Sequence, residues 1–134
     1  MTRNTGIAEF VKAAIDSVAY QTKDLIVAME KDSGLSIKQI KVDGGMVTNE
    51  KFLQFLSNIL ILSCDRPKIT ETTALGAAYL VGLSSNIIKN TEEISKKWQR
   101  EKIFRPKLHK KKVKYLYQGW LKAVKKITTK KNSK

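Results

Sequence analysis

Asp43-Gly44-Gly45, with Asn49 four residues beyond the second glycine, is the stretch of this sequence best suited to chemistry. Glycines between a strand and a helix let the backbone pass close to a ligand, and the free amides of a helix N-terminus favour acceptor atoms or anions. Such a turn binds rather than transforms. Asp-Gly and Gly-Gly pairs also build tight hairpins, but a hairpin needs a second strand at once, whereas the pattern after Asn49 is helical. Taken alone, a Gly-Gly turn is weak evidence for a nucleotide, and a purely structural turn stays open. The other reactive residue types are isolated. Cys64 is the single cysteine, without a CxxC partner, and reads as a reduced thiol in or beside a strand. His109 stands among Lys107, Lys110, Lys111 and Lys112 with no acid or thiol nearby, and reads as an exposed side chain. Asp16, Asp24, Glu30 and Asp65 are scattered over helical surfaces and a strand end, with no paired constellation. No catalytic residue and no metal ligand set is assigned.

The elements that must position the turn follow from periodicity. Ile7, Phe10, Val11, Ala14, Ile15, Val18, Ala19, Leu25, Ile26 and Met29 recur at spacings of three and four, which predicts one long amphipathic helix over Ile7 to Lys31, stopped near Gly34. Ile37 to Val42 reads as a short strand running into the glycine turn. Asn49 can cap the next helix, which points Phe52, Leu53, Leu56, Ile59 and Leu60 inward. A second strand is expected around Leu62 to Arg66, with Pro67 interrupting further ladder pairing. A small-residue helix then runs from about Thr73 to Val81. Its Gly76-Ala77-Ala78 reads as a surface that packs closely on a sheet. Asn90-Thr91-Glu92-Glu93 is a capping pattern opening a short helix towards Trp98, and Arg105-Pro106 falls in irregular chain. Val113, Leu116, Tyr117, Trp120, Leu121, Val124 and Ile127 form the apolar stripe of a last, basic helix. Tyr20, Trp98, Tyr117 and Trp120 read as packing residues. Helix, strand, helix, strand, helix implies an α/β architecture with a parallel pair, and two strands leave a sheet edge open.

Composition narrows the class. The 134 residues amount to one domain's worth of sequence, 42% hydrophobic, and hold no run near the roughly 18 to 20 apolar residues of a membrane span. The polar N-terminus has no signal-peptide pattern, so the expectation is a soluble, cytoplasmic protein without membrane contact. Residues 1–88 carry nine Lys/Arg and nine Asp/Glu, whereas residues 89–134 carry seventeen against three. The whole net charge of +14 therefore sits in the tail. A Lys-rich solvated surface accounts for it better than a nucleic-acid footprint, since Lys is the weaker choice for bidentate phosphate recognition.

Several ordered blocks carry a further signal: Met1-Thr2-Arg3, Ala19-Tyr20-Gln21-Thr22, Val42-Asp43-Gly44-Gly45, Asp65-Arg66-Pro67, Thr73 to Leu80, Phe104-Arg105-Pro106 and Tyr117-Gln118-Gly119-Trp120. In this order and at these separations they resemble the C-terminal, nucleotide-side portion of the glycerol kinases, within the FGGY carbohydrate kinase family. The resemblance covers nearly the whole chain. It implies a partial ribonuclease H-like domain of the actin/hexokinase ATPase type over residues 1–134, with a short parallel sheet, flanking helices and a basic helical tail from residue 89. It also implies ATP or ADP as the bound cofactor, with Gly45 and Asn49 touching the adenine nucleotide. Gly44 would let the loop pass close to the base, and Asp43 would brace the turn.

The family reaction is transfer of the ATP γ-phosphoryl group to glycerol. In the family, the glycerol-binding residues, the catalytic aspartate and the principal phosphate loops lie upstream of the matched part, so Mg²⁺ would enter only through that portion. The expectation is therefore a C-terminal piece, inactive unless a separate N-terminal kinase portion completes it. Two alternatives stand beside it: a small basic nucleic-acid-binding module, and a non-functional remnant of a split gene. Ile61 departs from the family pattern, which often has glycine there, and predicts a less sharp helix stop. The basic run Lys107 to Lys114 also departs from familiar bacterial members.

Overall fold

The computed structural model describes residues 2–128. Helix α1 spans Ile7–Ser33 and ends at Gly34, whose N–H bonds the Glu30 carbonyl at 3.0 Å and whose left-handed φ of 68° turns the chain out of the helix. Strand β1 (Gln39–Lys41) leads through the glycines into a 3-10 turn, Gly45–Thr48, and helix α2 (Glu50–Leu60). Strand β2 (Ser63–Pro67), helices α3 (Thr72–Ser84) and α4 (Thr91–Lys97), strand β3 (Arg100–Phe104) and helix α5 (Lys110–Ile127) complete the order. Among the described residues no helix is long and apolar enough to cross a membrane.

The sheet has the order β1-β2-β3. β1 and β2 are parallel, with Ile40 opposite Cys64 and Lys41 opposite Asp65, as the alternation of strand and helix required. β3 is a correction to the sequence reading, which left this segment irregular. It pairs antiparallel to β2, Cys64 opposite Phe104 and Asp65 opposite Ile103, so the sheet is mixed. Three charged residues, Arg100, Glu101 and Lys102, open β3, and nothing in their own propensity marks a strand. Its partner recruits it. Pro67, expected to stop the ladder, instead pairs with Arg100 across an irregularity between Arg66 and Pro67. β1 and β3 are the outer strands, each paired on one side only among the described residues.

The core lies between the sheet and the first two helices. α1 packs along α2, and α2 lies against β2 and β3. Ala19, Phe52, Leu53, Leu56, Leu60, Cys64 and Phe104 are buried together, flanked by Ile15, Ile26, Ile40 and Phe55. Ser57, fully buried, donates its hydroxyl towards the Leu62 and Phe104 carbonyls at 2.8 and 3.1 Å, which joins α2 to one end of the antiparallel β2–β3 pair, where β2 begins and β3 ends. Asn58 Oδ1 accepts from the Lys107 and Leu108 amides at 2.7 and 3.2 Å and fixes the exit from β3. Cys64 sits in β2 with its thiol pushed up to about 12, by burial first and then by the neighbouring Asp65. It is a packing residue, not a nucleophile.

α5 is fastened to α1. Tyr117 donates its hydroxyl to Asp24 Oδ1, and the Trp120 ring N–H reaches Asp24 Oδ2 at 2.7 Å. Tyr20 stacks on Trp120 with ring centres 5.5 Å apart and meets Phe55 edge-on at 5.7 Å. The aromatic residues thus pack as expected, while Asp24, read as a scattered surface carboxylate, is the shared acceptor of the joint. Asp65 needs the same correction, being fully buried and ion-paired to Arg100 at 2.5 Å. His109 is exposed and also caps α5, its Nδ1 accepting from the Lys111 amide at 3.3 Å.

α3 departs most from expectation. Gly76 has nothing within 4 Å of where a Cβ would stand, and Ala77 and Ala78 are exposed. The small-residue surface does not pack on the sheet, because no element among the described residues covers it. Gly82 is the close contact instead: a Cβ there would come within 2.7 Å of Ile88, whose N–H bonds the Gly82 carbonyl at 2.9 Å.

Candidate functional site

The Asp43–Asn49 turn is built by local hydrogen bonds anchored on two neighbours. At the end of β1 the Val42 N–H bonds the Asp65 carbonyl at 3.1 Å, so the chain leaves the sheet in register with β2. Gly44 then takes φ 86° and ψ 177°, a backbone region open essentially to glycine alone. Its N–H bonds the Thr70 carbonyl at 3.2 Å, and the Asp43 carboxylate accepts the Thr72 hydroxyl. Asp43 therefore braces the turn against the start of α3.

The 3-10 turn closes through Val47 N–H to Gly44 O at 3.2 Å and Asn49 N–H to Met46 O at 3.1 Å. Asn49 caps α2 as its position predicted, Oδ1 accepting from the Phe52 amide at 3.1 Å. Capping occupies the oxygen alone. Among the described residues the Asn49 Nδ2 group and the backbone N–H groups of Gly45 and Met46 make no hydrogen bond. Gly45 is exposed, with nothing within 4 Å of a Cβ position. One short turn thus offers donors beside the open Gly45 position, which suits a flat ligand carrying acceptor atoms.

Gly44, Gly45 and Asn49 belong to this turn, but they do not share one cavity. Asn49 reaches a cleft of about 580 Å³ between α1 and α2, floored by Val11, Ile15, Phe52 and Phe55, whose lining does not include the glycines. A second cavity, about 550 Å³, is lined by Lys41, Thr72, Tyr79 and Trp98. Lys41 Nζ lies 4.1 Å from the centre of the Trp98 ring.

Beneath the turn sits a residue that periodicity could not single out. Arg66, only 7% exposed, sends Nη1 to the Val47 carbonyl at 3.0 Å. Its Nε and Nη2 grip Glu101 of β3 at 2.8 and 3.1 Å, and Nη2 also reaches Glu50 at 3.3 Å. Lys102 Nζ holds both Glu50 oxygens at 2.7 and 2.8 Å. The Lys102 ammonium, with Arg66 adding to it, keeps the Glu50 carboxyl below its ordinary value. The only sequence signal for Arg66 was its place in the Asp65-Arg66-Pro67 block.

Comparison with known proteins bears on this geometry. The family model described as the FGGY family of carbohydrate kinases, C-terminal domain, matches residues 1–85. A glycerol kinase of Geobacillus sp. (strain WCH70) is 50% identical over 125 residues, 93% of this chain and 25% of that protein. The glycerol kinase of Bacillus subtilis (strain 168) is 47% identical over the same length. Among solved structures, Plasmodium falciparum glycerol kinase with ADP superposes with a TM-score of 0.82 at 31% identity, over 97% of this chain and 26% of that one. A xylulose kinase from Rhodospirillum rubrum, at 13% identity and a TM-score of 0.74, shares the fold. The chain spans about a quarter of the length of the curated relatives it matches.

Proposed function

The chain belongs to the FGGY family of carbohydrate kinases, and we propose that it serves as the adenine-nucleotide side of a glycerol kinase. Gly45 and Asn49 contact the nucleotide, with the free amides of the turn and the Asn49 carboxamide as donors. Gly44 carries the backbone close to the base. The observation that carries this reading is the turn itself: unused donors and an open Gly45 surface in a chain that follows glycerol kinases over 93% of its length.

Phosphoryl transfer to a hydroxyl also needs phosphate ligands, Mg²⁺ and a carboxylate to take the proton. In this reading those groups come from the upstream three quarters of the relatives' length, and a cytoplasmic location goes with it. The exposed apolar surface of α3 is the face we assign to that portion, since a helix apolar on every side calls for cover on every side.

Titration of the chain with ADP, followed through the amide resonances of Gly45 to Asn49, tests the site. Saturable shifts in that turn are expected, and their absence removes the nucleotide reading. Glycerol phosphorylation by the chain alone should be nil, and mixing with the upstream portion of a Geobacillus relative should restore turnover. Turnover without it would contradict the assignment of catalysis to upstream residues.

A further inference from the structure

We propose that Arg66, clamped by Glu101, is the positioning residue of the nucleotide turn. The assignment rests on the reading of Gly45 and Asn49 given above and deepens it. One guanidinium touches the chain on both sides of Asn49: Val47 two residues before it, and Glu50 immediately after. Its other edge is held by both oxygens of Glu101, 35 residues beyond Arg66, so the turn is tied to β3. The planar fork of Arg makes this possible, because Nε and Nη2 engage one carboxylate while Nη1 still points at a carbonyl. Two carboxylates compensate the buried charge, and the Phe104 ring centre lies 5.6 Å from the guanidinium carbon. Every one of these groups lies beneath or beside the turn. Arg66 thus acts on a ligand only through the backbone it holds.

The measurement is ADP affinity of the whole chain by calorimetry, paired with amide shifts of Gly45 and Asn49 in the unliganded protein. Arg66→Lys keeps the charge and loses the fork. It should weaken ADP binding roughly tenfold, the order of effect of residues that orient a site without touching its ligand, and should move both amide signals before ADP is added. Glu101→Gln leaves Arg66 in place and should give a smaller change in the same direction, which covers the case in which Arg66→Lys folds poorly. Tyr117→Phe is the control, because it loosens α5 far from the turn and should lower thermal stability while leaving ADP affinity intact. Unchanged affinity in Arg66→Lys and Glu101→Gln, or an equal loss in Tyr117→Phe, would overturn the assignment. A wild-type chain that binds no ADP sinks the site reading and this assignment together, whereas wild-type binding with indifferent variants sinks this assignment alone.

Discussion

Helices α2 and α3 hold equivalent places in chain order, each following one strand of the parallel pair, and they meet opposite environments. α2 keeps its apolar residues on one face, where Leu53 and Ile59 are fully buried, and turns Lys51 outward. α3 is apolar almost throughout, yet Leu80 and Val81 are 69% and 65% exposed and Gly82 is its only buried residue. An amphipathic helix can be satisfied by one sheet and one neighbour, but a helix without a polar face cannot. The difference teaches that this chain folds around α2 and presents α3.

The comparison can be broken most forcefully by truncating one leucine on each helix. Leu53→Ala should cost about 2–5 kcal/mol in urea unfolding, whereas Leu80→Ala should stay within about 0.5 kcal/mol. Equal losses would mean that α3 is covered in solution by another copy. Asp24→Ala comes next. It strands the Tyr117 hydroxyl and Trp120 ring N–H, should cost about 1–3 kcal/mol, and should shift tryptophan emission to the red as α5 loosens from α1.

A smaller effect of opposite sign is expected at the end of α2. Ile61 adopts φ 61° and ψ 33°, the left-handed conformation that disfavours a β-branched side chain, while its N–H bonds the Ser57 carbonyl at 2.9 Å. The helix stop is therefore as definite as a glycine would make it, contrary to the sequence expectation, and strain is the difference. Ile61→Gly should raise stability by about 1 kcal/mol, and a loss would show that the half-exposed side chain packs better than its backbone suffers.

The mildest test uses pH. Glu50 is held below the ordinary 4.5, so its contribution is present above that value and lost as pH falls through the lower folded one. Lys102→Met should flatten the acid limb of the stability profile there and leave the neutral region alone. Tyr117 gives the alkaline counterpart. Burial, then its bond to Asp24, pushes its hydroxyl up to about 12, so its contribution is present below 10 and lost as pH rises towards 12. Tyr117→Phe should remove that alkaline loss.

What could be read from residue order alone was what neighbours in sequence decide. The periodic face of α2, the Gly34 stop and the Asn49 and Asn90 caps all depend on residues within a few positions, and each appears where the pattern put it. The Asn90 side chain accepts from the Glu93 amide at 3.0 Å, as the capping pattern required. Strand β3 escaped because its first three residues are charged and only pairing with β2 makes them a strand. Arg66 escaped because its partners lie 16 to 35 residues away. Gly76 misled because small residues imply a close neighbour without saying which chain segment provides it. In the site, the glycine turn and the Asn49 cap were legible, while the support beneath them was not.

The backbone of Gly44 has a stereochemical consequence. With φ 86° and ψ 177° it is the mirror image of an ordinary extended residue, and open space surrounds the place where a Cβ would go. Handedness, rather than size, restricts the position. A D-alanine introduced there by chemical ligation should leave the turn intact, whereas L-alanine, the same atoms in the other configuration, should distort the path from β1 to Asn49.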